Sequence, residues 1–365
     1  MSAVTRVPET ASMPAHELPS TNAGEMLRRY GRWTLAREAF RRFRFGDGFT
    51  SSRALGLQLA LALVPFLIFL VAVGATGDDR IGEVIRQTLL SLAPGLYSDD
   101  VVQQTFEDTE RLPDHGGQLT IWLSLGISVV FLTVALGQVE RGANRIYGIQ
   151  RDRPSYHKYL RAAVMGLLTG VPGIIGLMLL LAGGAAAAAV RDVYHVDALW
   201  LQVGRWTVGA ILTMTALISI FNRSPRRRQP SWEWLAVGAA VAVVLWLLFT
   251  ALLVLYLRYS PSFGAVYGPL TAVIALLLWT TLTSTAVFLG LAVAAQLEAV
   301  RAGLSAGAPD DPEPKPGAST SAPDRQAHPA RRDYGGGYEA LGMRFGPGRA
   351  VTVRPRISAR KSSAT

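Results

Sequence analysis

The 365-residue sequence contains no cysteine. Disulfides, thiolate nucleophiles, iron–sulfur clusters and cysteine-based zinc sites are therefore excluded. Charge is also scarce. Only 17% of residues are Asp, Glu, Lys or Arg, against about a quarter in soluble domains. Lysine occurs only at Lys158, Lys315 and Lys361, so the net charge of +10 is carried by arginine. The five histidines are scattered, with no HxH or HxxxH pair. No GxSxG elbow or Walker-type phosphate loop is present, which leaves hydrolytic and nucleotide-driven chemistry without a motif. No secretory leader is read at the N-terminus, where about fifty polar residues precede the first apolar block.

Apolar residues make up half of the chain, and they fall in long blocks: roughly 54–76, 119–138, 160–190, 199–222, 233–257 and 269–296. At 1.5 Å per residue, most are long enough to cross a ~30 Å hydrocarbon core. The sequence thus predicts an all-α fold, a polytopic membrane helical bundle of about six spans. The third block is long, and Pro172, between Gly170 and Gly173, predicts a tilt or kink there. Arg205, near the start of the fourth block, leaves open a five-span alternative in which that block is re-entrant; equally, the side chain can snorkel to the headgroups.

Arginine is distributed asymmetrically. Eight arginines from Arg28 to Arg53 precede the first span. Arg141, Arg145, Arg151, Arg153, Lys158 and Arg161 follow the second, and Arg223, Arg226, Arg227 and Arg228 follow the fourth. The other connections carry few. By the positive-inside rule both termini are cytoplasmic, with the protein in the plasma or inner membrane. Residues 1–24 read as a disordered tail. Residues 25–53 read as a basic helix, with Tyr30, Trp33, Phe40 and Phe43 on one arc, either lying at the cytoplasmic headgroups or solvated. The spans occupy 54–300 and include an acidic outer connection over 77–118, whose apolar residues Ile81, Val84, Ile85, Leu89 and Leu92 have helical spacing. Residues 301–365, rich in Gly, Pro, Ser and Ala, read as a disordered cytoplasmic tail.

Polar groups inside the blocks are mild. No Asp, Glu, Lys or His falls near the middle of a block, where a proton relay would need one. Gln58, Ser124, Ser128, Thr133, Thr213, Thr215 and the run from Thr280 to Thr285 read as residues bonding to their own helix, or as a polar path for a headgroup. Gly166 and Gly170 make one GxxxG step, continued by Gly173 and Gly176, which suits close helix packing in lipid. The richest polar segment follows the second span. Glu140 and Asn144 share one helix face, and Arg141 and Arg145 share another. With Tyr147 they form either a buried clamp or headgroup site, or an ordinary salt-bridged helix end.

Three stretches carry a resemblance: FGDGFTSSRALGLQLALALVPFLIFLVAV at the start of the first span, VALGQVERGANRIYGI after the second, and the region from SPRRRQPSWEWLAVGAAVAVVLW to the closing Gln-Leu-Glu. Together, over about residues 35–300, they resemble the YihY/BrkB family of bacterial inner-membrane proteins, formerly labelled ribonuclease BN-like. The family-like positions are Pro65, Glu140, Asn144, Arg145, Tyr147, Gly148, Pro225, Gly238, Tyr267, Gly268 and Glu298. Gly56, Leu57 and Gln58 depart from the family's aromatic pattern before the proline. The resemblance implies location and fold rather than a reaction, since the family has no settled activity.

From residues and resemblance together, the expected function is a transporter or flippase for a lipid or other amphiphile, with a non-catalytic membrane scaffold as the alternative. The ribonuclease label finds no metal-holding carboxylates or acid/base pair to support it. The candidate polar or headgroup site is Glu140, Asn144, Arg145, Tyr147, Tyr267 and Gly268. The candidate structural positions are Pro65, Gly166, Gly170, Pro172, Pro225 and Gly238. Membrane lipids are the expected partners; no cofactor, metal or nucleic acid is expected, and a homo-oligomer is left open.

Overall fold

In the computed structural model, the described residues are 4–18, 22–76, 114–149, 163–164, 166–176, 178–180, 197–259 and 270–304, all within the unit Met1–Asp311. Residues 305–365 of the expected 301–365 tail, most of the outer connection, and Tyr267 and Gly268 lie outside them. Two 3-10 turns, Thr10–Ser12 and Ala15–Glu17, precede α1 (Ala23–Tyr30) and α2 (Arg32–Phe45). Five long helices follow: α3 (Gly48–Thr76), α4 (Asp114–Ile146), α5 (Ala198–Arg223), α6 (Trp232–Tyr259) and α7 (Thr271–Arg301). All five are long and apolar enough to cross a membrane. Among the described residues there is no strand, in keeping with the all-α expectation. The fourth block is one continuous helix, α5, and Arg205 near its start lies over the Trp206 ring at 5.3 Å.

A sixth crossing follows from the contacts of the third block. The C-terminal ends of both α4 and α5 lie at the same end of the bundle, because the Arg226 amide donates to Asn144 Oδ1 at 2.9 Å. The chain must therefore cross once between them. A side chain at Gly166 would meet Leu136, and one at Gly170 would meet Leu132; Gly173 faces Ala216 and Gly176 faces Thr213. This segment thus runs antiparallel to both neighbours. The GxxxG step meets leucine side chains of α4, whereas the closer backbone approach is Gly176 against α5. Pro172 lacks the N–H that a regular helix would donate four residues back. The preceding turn, Gly166–Gly170, is a π-helical turn, which absorbs the mismatch by widening locally. Pro65 sits within α3.

The centre of the bundle is α7. From Phe288 to Val300 nearly every residue is buried, which is possible because Gly290, Ala292, Ala294, Ala295 and Ala299 let neighbours approach closely. Gly238 of α6 and Gly290 of α7 meet backbone to backbone: a Cβ on either would lie 2.5 Å from the other's carbonyl oxygen. Gly56 of α3 packs equally tightly on Thr281. Phe43, Phe221, Phe288, Leu291 and Tyr147 close the core toward the end where α2 and the C-terminal end of α7 meet.

That end departs from the sequence expectation. Gly31, at φ +90°, divides the basic helix into α1 and α2. The aromatic arc is split as well: Trp33 is 90% exposed while Phe43 is fully buried. Arg42, on α2, is fully buried and hydrogen-bonds to Gln296 of α7. Within the tail expected to be disordered over 1–24, residues 4–18 are described and partly buried. Val4, Val7 and Thr10 are buried, with the Val7 amide donating to the Tyr147 carbonyl at 3.1 Å. The reason is local. Val4 and Val7, three residues apart, give this polar segment apolar surface to bury, and the buried Arg42 and Arg227 donate to its carbonyls.

Candidate functional site

Two features stand out: a polar layer at the arginine-rich end of the bundle, and an apolar cavity among the spans.

The polar layer begins with a difficulty in the sequence. Gln296 and Glu298 belong to the last turns of an otherwise apolar helix and are fully buried, so each needs a partner. Arg42 Nε donates to Gln296 Oε1 at 2.8 Å, and Gln296 Nε2 donates to Glu38 Oε2 at 2.8 Å. The Tyr30 hydroxyl donates to the Glu38 carboxylate at 2.9 Å. On the opposite side Arg227 forms a buried ion pair with Glu298. Arg227 also stacks over the Tyr147 ring at 4.8 Å and donates to the Val7 and Pro8 carbonyls at 3.0 Å. Glu298 Oε1 accepts the Thr10 hydroxyl at 3.0 Å and the Thr10 amide at 3.3 Å as well. Arg301 covers the buried Trp234 ring at 4.4 Å and reaches the Thr10 hydroxyl at 3.3 Å.

Burial sets the electrostatics. Desolvation draws the Arg42 guanidinium down to about 10, and nearby Arg227 adds to this, while Tyr147, Glu38 and Glu298 oppose it; the group stays charged at neutral pH. Desolvation, then the Glu38 hydrogen bond and charge, push the Tyr30 phenol up to about 12. Tyr147 is raised further, chiefly by burial and then by Glu298.

The sequence-predicted residues divide between this layer and its rim. Glu140 and Asn144 are buried, whereas Arg141 and Arg145 are exposed, as the face assignment anticipates. Asn144 fixes the turn after α5 by accepting the Arg226 amide, and Pro225 lies in that turn, accepting the Arg227 amide at 2.9 Å. Tyr147 lies in the layer itself. Arg145 does not join it; it pairs with Asp47 at 3.2 Å, both half-exposed, an interaction worth at most about 1 kcal/mol. Gly148 ends α4 at φ +73°, and a side chain there would strike the Arg6 backbone at 2.7 Å. A helix-terminating glycine in the left-handed region thus also admits the N-terminal segment. Arg42, Arg227, Thr10, Glu38 and Tyr30 were not among the candidate site residues read from sequence. The available signal was the Gln-x-Glu pair at the end of an apolar helix, which demanded buried donors from elsewhere.

About two helical turns deeper lies a cavity of about 210 Å³. Leu55, Leu59, Leu136, Val139, Gly173, Leu217, Val243, Trp246 and Val287 line it, so all five long helices and the Gly166–Gly170 region contribute. Its polar lining is three threonines, Thr169, Thr213 and Thr283. The hydroxyls of Thr213 and Thr283 are buried without a partner among the described residues. Such a space suits a hydrocarbon chain bearing an occasional hydrogen-bonding group. Among the described residues, no group of three His, Asp or Glu side chains is placed to hold a metal ion.

Comparison with known proteins adds the lineage. Residues 39–316 match the family described as Virulence factor BrkB, which is most of the chain. The chain belongs to the BrkB family. The resemblance read from the three sequence stretches is thereby borne out. This BrkB-family chain is 24% identical over 263 residues to the ribonuclease-like protein YfkH of Bacillus subtilis (strain 168), covering 70% of the chain and 91% of YfkH. It is 25% identical over 251 residues to the UPF0761 membrane protein Nmul_A0452 of Nitrosospira multiformis, covering 68% of the chain and 54% of that protein. A UPF0761 membrane protein of Chromohalobacter salexigens is 27% identical over 267 residues, covering 72% and 62% respectively. The chain thus spans little more than half the length of these UPF0761 relatives. No solved structure matches the chain.

Proposed function

We propose that this BrkB-family membrane protein accommodates the apolar part of a membrane amphiphile, such as a lipid acyl chain, between its spans and moves it across the bilayer. The supporting observation is the 210 Å³ cavity, apolar except for threonines, to which all five long helices contribute. The unpartnered hydroxyls of Thr213 and Thr283 would hydrogen-bond an ester or hydroxyl near the chain. In this reading the arginine-rich end faces the cytoplasm of a plasma or inner membrane, and the polar layer closes that end against water. Movement rather than hydrolysis is the proposed activity, because the cavity offers shape and weak hydrogen bonds but no acid/base pair.

The test is lipid scrambling in liposomes reconstituted with purified protein. Protein-dependent movement of a fluorescent lipid is expected. Val243→Phe, which fills the cavity, should slow it about tenfold, equivalent to ~1.4 kcal/mol of lost binding. An absence of movement across several lipid classes, with folded protein, would rule the reading out.

A further inference from the structure

We propose that the arginine-rich end of the bundle holds a phosphate-binding pocket now occupied by the chain's own N-terminal strap, Thr5–Thr10, so that strap and a phosphate-bearing ligand exclude one another.

The donors are the first argument. Arg42 and Arg227 are buried cations that spend most of their hydrogen bonds on neutral main-chain carbonyls. Arg42 Nη1 donates to the carbonyls of Thr5 and Ile146 at 3.1 and 3.2 Å. Arg227 donates to those of Val7 and Pro8 at 3.0 Å. Three of these four acceptors belong to the strap. Guanidinium groups bond more strongly to anionic oxygens, and their fork matches phosphate. Arg42 Nη2 is moreover fully buried with no acceptor among the described residues, so the pocket retains an unused donor even with the strap in place. Within this network Arg42, Arg227 and Arg301 face Glu38 and Glu298, leaving one positive charge in excess.

The strap itself is the second argument. It contains no helix before the turn at Thr10, and its main-chain bonds to the bundle include the Val7–Tyr147 bond, the carbonyls just named and Thr10. Buried Val7, together with buried Val4 just before the strap, supplies its apolar contact. Because the strap precedes every helix and is held by a few main-chain bonds and these valines, it can open locally while the helices stay packed. Its departure uncovers Arg42 and Arg227 together. The inference does not require that the protein move lipids. The phosphate could belong to a lipid headgroup or to a soluble anion.

The absence of cysteine makes the test direct. Val7→Cys gives the full chain a single thiol, buried while the strap is docked. In phosphatidylcholine nanodiscs, maleimide labelling of this thiol should be slow. One arm adds inorganic phosphate against chloride of equal ionic strength; the other places phosphatidic acid in the nanodisc. At ten times its Kd a competing ligand raises the undocked population about tenfold, and labelling should accelerate by the same factor. Acceleration by inorganic phosphate assigns a soluble anion, and acceleration by phosphatidic acid alone assigns a headgroup. Unchanged labelling in both arms overturns the proposal, as does an equal response to chloride. Val4→Cys repeats the measurement with the other anchor, and fast labelling of both thiols without ligand would show that the strap is not seated. Independently, the chain lacking residues 2–12 should bind whichever probe succeeds more tightly than the full chain; equal or weaker binding counts against competition.

Discussion

Glu298 and Arg227 illustrate how much depends on single side chains at the arginine-rich end. Each is buried, so each carries a desolvation cost that only its partners offset. Arg227→Ala would leave the Glu298 carboxylate without its ion pair and remove the stacking on Tyr147. We expect a loss of about 3–5 kcal/mol, read as a fall in thermal unfolding temperature in detergent. The double variant Arg227→Met with Glu298→Leu should recover part of that loss, because an apolar pair does not need compensating charge. Equal destabilisation by the single and double variants would show that the pair is not coupled. Arg145 provides the contrast. Its partner Asp47 is half-exposed, so Arg145→Ala should leave stability nearly unchanged.

Among the helices, the closest approach is that of α6 to α7. Gly238 and Gly290 exclude each other's side chains, and no rotamer can relieve a clash with a carbonyl oxygen. Gly290→Val should therefore force the two helices apart and destabilise the bundle by at least about 1–3 kcal/mol. Among the described residues nothing lies within 4 Å of a Cβ at Gly126, so Gly126→Ala in the exposed part of α4 should be neutral or slightly stabilising. The two substitutions, compared by thermal unfolding in one detergent, separate a packing glycine from an incidental one. Sequence reading identified Gly238 as structural and gave weight to the Gly166 step. It had no means of identifying Gly290, whose importance comes entirely from the residue that lies opposite.

At the scale of the described bundle, the arginine-rich connections fall at one end. The start of α3, the ends of α4 and α5, the start of α6 and the end of α7 gather together through Arg145–Asp47, Arg226–Asn144 and Arg227–Glu298. The proposed cytoplasmic location of this end is checked by cysteine accessibility in intact cells. Single thiols at Gln229 and at Asp114 should label from opposite sides of the membrane; labelling from the same side would contradict the topology.

Composition and pattern alone determined that this chain is a membrane helical bundle, where most of its spans run, and which ends share a side. Hydrophobic length and charge asymmetry are properties of each segment by itself, so they are legible without knowing any neighbour. The faces of Glu140, Asn144, Arg141 and Arg145 were legible for the same reason, since helical spacing fixes them. Only the tertiary structure decided that Arg42, Arg227, Gln296 and Glu298 meet, that the N-terminal segment seats on them, and that a cavity remains among the spans. These outcomes join residues 71 to 288 positions apart, and burial turns scattered polar side chains into one interdependent layer. A sequence records which groups will require partners; it does not record which partners the folded chain brings to them.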